Sequence, residues 1–229
     1  MQFPNKHTSS KWKSQLLKYL HSTWVHALGF NLLCVCIYLI STRNFVFSNK
    51  LTRDFIHTCL LTVGFAVPIF FTVWKWKWNY RDLGFRFSLS GFFLGIGLYL
   101  IPTGIFLGFR IFFSAWQQLT ASQVILPLLF ACWMAAITDA WFHGFLFLGL
   151  LNGTKWWFAL LMQNIYWFFY HVAEIQGLAP TLGLWGAIGL STFLGIMGDL
   201  IAWKYRSVLG LMAGHVLFNL IHIIIASSS

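Results

Sequence analysis

Residues 125–151 read ILPLLFACWMAAITDAWFHGFLFLGLL, an apolar run with one carboxylate, Asp139, in its middle. About 20 apolar residues suffice to cross the hydrocarbon core of a bilayer, so this run is a candidate membrane span. An acidic side chain at that depth costs roughly 2.5–3.5 kcal/mol on insertion scales. Such groups are therefore kept where they face a protein interior or a wet cavity, and they mark function by default. Asp139 is one of only five acidic residues among 229. His143 follows one helical turn later, and further apolar runs carry His171 and the pair His215 and Asn219.

The rest of the chain shares this character. Hydrophobic residues make up 59%, aromatic residues 20% and charged residues 9%, with a mean hydropathy of +0.72. These values exclude an ordinary soluble domain. Seven runs have roughly spanning length: Trp24–Ile40, Phe55–Trp74, Gly91–Phe113, Ile125–Leu151, Trp156–His171, Leu182–Trp203 and Val208–Ala226. They are far longer than barrel strands and do not alternate, so helices that satisfy their own backbone groups in lipid are the consistent reading. The expected fold is an all-α, multi-span transmembrane bundle of about seven helices.

The net charge of +10 invites a nucleic-acid reading, yet the basic residues lie between the apolar runs. With the N-terminus inside, only Arg43, Lys50, Arg53 and Arg110 of the 15 Lys and Arg fall outside. The positive-inside rule therefore predicts a cell-membrane protein with a cytoplasmic N-terminus and an external C-terminus. The basic excess serves topology and anionic headgroups, and no nucleic-acid partner is expected. The chain divides into a basic cytoplasmic segment (1–22), scaffold spans (23–80) and a second membrane domain (81–226). Between the second and third runs, WKWKWNYRDLGFRFSLS reads as an interface anchor, and Ser114–Val124 as a surface loop or helix. Asp199, near Lys204 and Arg206, reads as part of an interfacial charge pair. Cys34, Cys36, Cys59 and Cys132 all lie in apolar runs, where thiols pack as small hydrophobes, so no disulfide framework is expected.

Residues three or four apart share a helix face, so Asp139 and His143 are expected to look the same way. His215, Asn219 and His222 form a polar stripe on the last run, and His171 closes the fifth, one turn after Trp167 and one turn before Glu174. Each is a small cost in lipid, and together they point to a shared site.

Three motifs in order resemble those of the CAAX protease and bacteriocin-processing (CPBP) intramembrane peptidases, also called Abi proteins. That family carries Glu-Glu-x-x-x-Arg, then Phe-x-x-x-His, then His-x-x-x-Asn/Asp. Thr138-Asp139-Ala140-Trp141-Phe142-His143-Gly144 stands where the first belongs, Trp167 to His171 where the second belongs, and His215 to Asn219 where the third belongs. Asp82 to Arg86 and Lys204 to Arg206 are similar to family framework, so the likeness covers about residues 80–222. The resemblance implies a metal-independent site without a cofactor, in which the first Glu and the second-motif His activate water while the third-motif His and Asn stabilise the oxyanion. His171, His215 and Asn219 match those roles. Thr138 replaces the water-activating Glu, Asp139 the second Glu, and His143 the Arg.

Three readings follow. One is an endopeptidase for hydrophobic or lipidated peptides in which Asp139 or His171 is the base. Another is a pseudopeptidase that keeps the cleft and binds peptides or membrane proteins as a regulator or immunity factor. The third treats Asp139, His143, His171 and His215 as zinc ligands, a chemically acceptable set. A transporter or channel is a more distant fourth.

Overall fold

The structure is a computed structural model that describes residues 28–37, 50–74, 77–113, 121–152 and 154–227. The basic segment 1–22, parts of the first apolar run and of the WKWKW stretch, and residues 114–120 lie outside the described residues. Every regular element described is helical: α1 (Leu28–Ile37), α2 (Lys50–Trp74), α3 (Leu89–Phe113), α4 (Ala121–Asp139), α5 (Trp156–Tyr170), α6 (Val172–Tyr205) and α7 (Leu209–Ser227). Helix α4 continues through a π-helical segment, Ala140–Leu148, and a closing turn, Gly149–Leu151. Phe55–Trp74, Leu128–Leu151 and Glu174–Tyr205 are long and apolar enough to cross a membrane, while the other apolar helices described are shorter.

Among the described residues, large apolar side chains stand on the outside and polar groups are buried within an otherwise apolar core. Trp185, Phe169, Phe87 and Phe93 are among many exposed large hydrophobic side chains, whereas Asn31, Asp139, His143, Gln163 and Asp199 are wholly buried. A soluble monomer rarely exposes so much contiguous apolar surface. Some buried polar groups are tied across helices. Asn31 donates to the Gly64 carbonyl at 2.9 Å and accepts from the Tyr166 hydroxyl, joining α1 to α2 and α5. Trp133 Nε1 donates to Thr62 Oγ1 at 2.8 Å, joining α4 to α2.

Helix α7 packs chiefly on α3 and α4. Its approach to α3 runs along Gly210 and Gly214, which face Gly91, Phe92 and Gly95 so closely that a Cβ on Gly210 would stand 2.5 Å from the Gly91 carbonyl oxygen. Two small-x-x-x-small faces thus meet, the device by which helices approach closely where lipid offers no hydrophobic drive between them. A Cβ added at Gly183 or Gly186 would meet no other helix among the described residues.

Helix α6 corrects one expected boundary. It starts at Val172, ten residues before the sixth apolar run, and breaks at Gly183 (φ 72°, ψ 157°) shortly after Pro180. Residues 172–181 read as a link because Glu174, Gln176 and Pro180 interrupt their hydropathy, yet they form a helical arm over the site. At the other end Arg206 takes a left-handed conformation (φ 50°), and Arg86 donates to the carbonyls of Tyr205 and Arg206 at 3.1 and 3.0 Å. These carbonyls have no helical partner of their own, and a cation there also suits the helix dipole. Val208 N–H donates to the Gly84 carbonyl at 3.0 Å, so the stretches 82–86 and 204–206 form one joint.

Candidate functional site

Thr138, His171, His215 and Asn219, brought from α4, the α5–α6 junction and α7, line one cavity of about 550 Å³. Its remaining wall is mostly apolar, with Pro102, Met134, Ile175, Leu178, Leu194 and Phe218. That volume is typical of a small-ligand or peptide pocket.

His171 sits at the hinge between α5 and α6 (φ −91°, ψ 14°). Its Nδ1 lies 2.9 Å from the Trp167 carbonyl oxygen, and its ring stacks on Trp167 at 3.8 Å. A carbonyl only accepts, so Nδ1 carries the proton and a neutral ring keeps its lone pair on Nε2. Trp167 is itself fixed by Nε1, which donates to the Ser191 carbonyl and hydroxyl at 3.1 and 3.2 Å.

His215 is held by two contacts the sequence did not foretell. Its Nδ1 lies 3.3 Å from Asp139 Oδ1, and its ring stacks at 4.7 Å on Tyr99 of α3. The Tyr99 hydroxyl donates to both Asp139 oxygens at 2.9 and 3.1 Å. Asp139 is fully buried behind these two side chains and does not line the cavity. It therefore acts on His215, and it makes no hydrogen bond to His171 among the described residues. Tyr99 carried no sequence signal, since one tyrosine in an apolar run reads as packing. The glycine seam brings it there, because Tyr99 follows Gly95 by one turn and His215 follows Gly214.

Thr138 Oγ1 donates within its own helix, to the carbonyls of Met134 and Ala135 at 2.8 and 3.1 Å. Asn219 Nδ2 donates to the Ala131 carbonyl at 3.0 Å, which fixes the amide against α4 and leaves it a second N–H. His222 has no described side-chain environment.

His143 departs from the expected pairing. The π segment has i→i+5 hydrogen bonds, so four residues fall short of a full turn and His143 does not stack squarely above Asp139. Its Nε2 stays 3.9 Å from Asp139 Oδ1, while Nδ1 lies 2.8 Å from Asp199 Oδ1. Asn164 Nδ2 donates to the other oxygen of Asp199 at 3.1 Å. Asp199 is thus not the interfacial charge its neighbours Lys204 and Arg206 suggested. It is buried at 0% exposure against α5 and the π segment. Gly198 makes this possible, since a Cβ there would stand 2.5 Å from His143 Cε1. Asp199, Asn164 and Gly198 were missed because helix-to-helix register decides which side chains meet. The two pairs join in a buried chain from Asn164 through Asp199, His143 and Asp139 to Tyr99 and His215.

Among the described residues, no three His, Cys, Asp or Glu side chains converge as a metal site would require. Asp139, His143, His171 and His215, the four residues of the zinc reading, are all described and form no such group. All four cysteines are free thiols. The chain matches no protein-family model, no curated protein and no solved structure.

Proposed function

We propose that the chain is a multi-pass membrane protein of the CPBP type, with a cytoplasmic N-terminus, that hydrolyses hydrophobic or lipidated peptides within the membrane. The observation that supports this best is the convergence of Thr138, His171, His215 and Asn219 on one apolar-walled cavity. Three short motifs far apart in sequence supply those residues. The three spanning-length helices and the outward apolar side chains support the membrane half of the reading.

The chemistry follows from which nitrogens are occupied. His171 Nε2 takes a proton from water, and the resulting hydroxide attacks the scissile carbonyl carbon. The second Asn219 N–H and His215 meet the developing oxyanion. In its imidazolium form, with Nδ1–H on the Asp139 carboxylate, His215 gives its Nε2 proton to the leaving amine as the C–N bond breaks. The proton taken up by His171 then passes through solvent to His215, so both rings return to their starting forms. Asp139 is a positioning residue here, in the manner of a carboxylate that holds an imidazole's tautomer and orientation.

A second reading, a pseudopeptidase that binds such peptides without cutting them, draws on Thr138. Its hydroxyl hydrogen is committed to its own helix where a carboxylate would be needed to help activate water. Cleavage of a membrane-tethered hydrophobic reporter by the purified chain in lipid nanodiscs separates the two. Activity that His171→Ala and His215→Ala abolish supports the peptidase. Inactivity of the wild type together with activity of Thr138→Glu supports the pseudopeptidase.

A further inference from the structure

The described acidic side chains divide sharply by access. Asp139 and Asp199 are wholly buried, and Asp82 is exposed on the turn before α3. Glu174, in the first turn of α6, is exposed and lines the same cavity as His171, His215 and Asn219. It is the one carboxylate among the described lining residues, and neither Lys nor Arg is among them. Around it the helical arm supplies Ile175, Gly177, Leu178 and Thr181, which are apolar or uncharged. The chain as a whole carries 15 Lys and Arg against five acidic residues, so its general field repels cations and this cavity edge is an exception.

We propose that the cavity selects a hydrophobic peptide segment bearing a cationic group, a Lys or Arg side chain or a free α-ammonium, which Glu174 receives. The inference rests on the peptide-cleft reading and names its substrate class. An apolar segment fills the wall while one cation meets the carboxylate. Glu174 follows His171 by one helical turn, so the cation binds on the α6 side of the imidazole. A segment with an acidic residue, or a free C-terminal carboxylate, at that place meets like charge and is disfavoured. Glu174 is exposed rather than buried, so the pair is expected to be weak and its effect moderate.

The test uses the full chain in nanodiscs of zwitterionic lipid, so that headgroups do not themselves concentrate cationic peptides. Three fluorescent hydrophobic peptides differ at one position, Lys, Gln or Glu, and both binding and cleavage are read. The Lys peptide is expected to bind about three- to tenfold more tightly than the Gln peptide, and the difference to shrink as salt rises. Glu174→Gln is expected to remove that difference, and Glu174→Lys to reverse the order of Lys and Glu peptides. Equal binding of the three by the wild type, or a Lys preference that survives Glu174→Gln, overturns the proposal. Cleavage without charge preference leaves the peptidase standing and ends this inference. Charge-selective binding without cleavage does the reverse. Failure to bind or cut any of the three ends both.

Discussion

Two carboxylate and imidazole pairs lie within one core, and they differ in what the imidazole can reach. In the Asp139 and His215 pair the ring lies at a cavity wall, 15% exposed, with its carboxylate sealed behind it. In the Asp199 and His143 pair both partners are at 0% exposure. The same two functional groups therefore serve different ends. On the proposed reading, access to a ligand makes the first pair a chemical device, and its absence leaves the second a joint that ties the π segment to α5 and α6.

The largest effect that can test this contrast is on turnover. His215→Ala is expected to lower cleavage by about 10²- to 10⁴-fold, the range for losing a general acid or base, with the protein still folded by thermal unfolding in detergent. An equal loss from His143→Ala at unchanged stability would erase the distinction. Next comes stability, because removing one partner of a buried pair leaves the other charge unpaired. Asp199→Ala should cost about 3–5 kcal/mol in a reversible unfolding measurement, and the double replacement His143→Leu with Asp199→Leu should recover most of it. Failure of the double variant to recover would show that the joint also carries Asp139. Gly198→Ala should cost about 1–3 kcal/mol by pushing the His143 ring off Asp199, with little change in the cavity's peptide affinity. Smallest is Tyr99→Phe, which removes a bond to Asp139 but keeps the stacked ring. It should cost about 1 kcal/mol in stability and lower turnover less than Asp139→Asn does.

Which parts of this were legible in the sequence follows from where the information resides. Helices show in local composition, and the runs at Phe55–Trp74, Ile125–Leu151 and Trp156–His171 nearly coincide with helical segments. His171, His215 and Asn219 stood out because each interrupts or ends an apolar run, Thr138 only through the motif resemblance, and the fold gathers all four on one cavity. The arm 172–181 was hidden because Glu174, Gln176 and Pro180 break its hydropathy while its backbone is helical. Partners were hidden for a different reason. Asp199 had basic residues near it in sequence, yet its bonds go to His143 and Asn164 on other elements. A π segment is not written in periodicity, and it redirects His143 away from the neighbour that α-helical spacing assigns.

The glycine seam between α3 and α7 also carries a consequence for biogenesis. A ribosome delivers α3 and α4 well before α7, so Tyr99, Asp139 and His143 are made before His215, the imidazole that will later sit beside Asp139. His215 reaches Asp139 only when Gly210 and Gly214 meet Gly91 and Gly95. On the peptidase reading proposed above, a chain truncated before α7 lacks His215 and Asn219 and is expected to be unable to cleave.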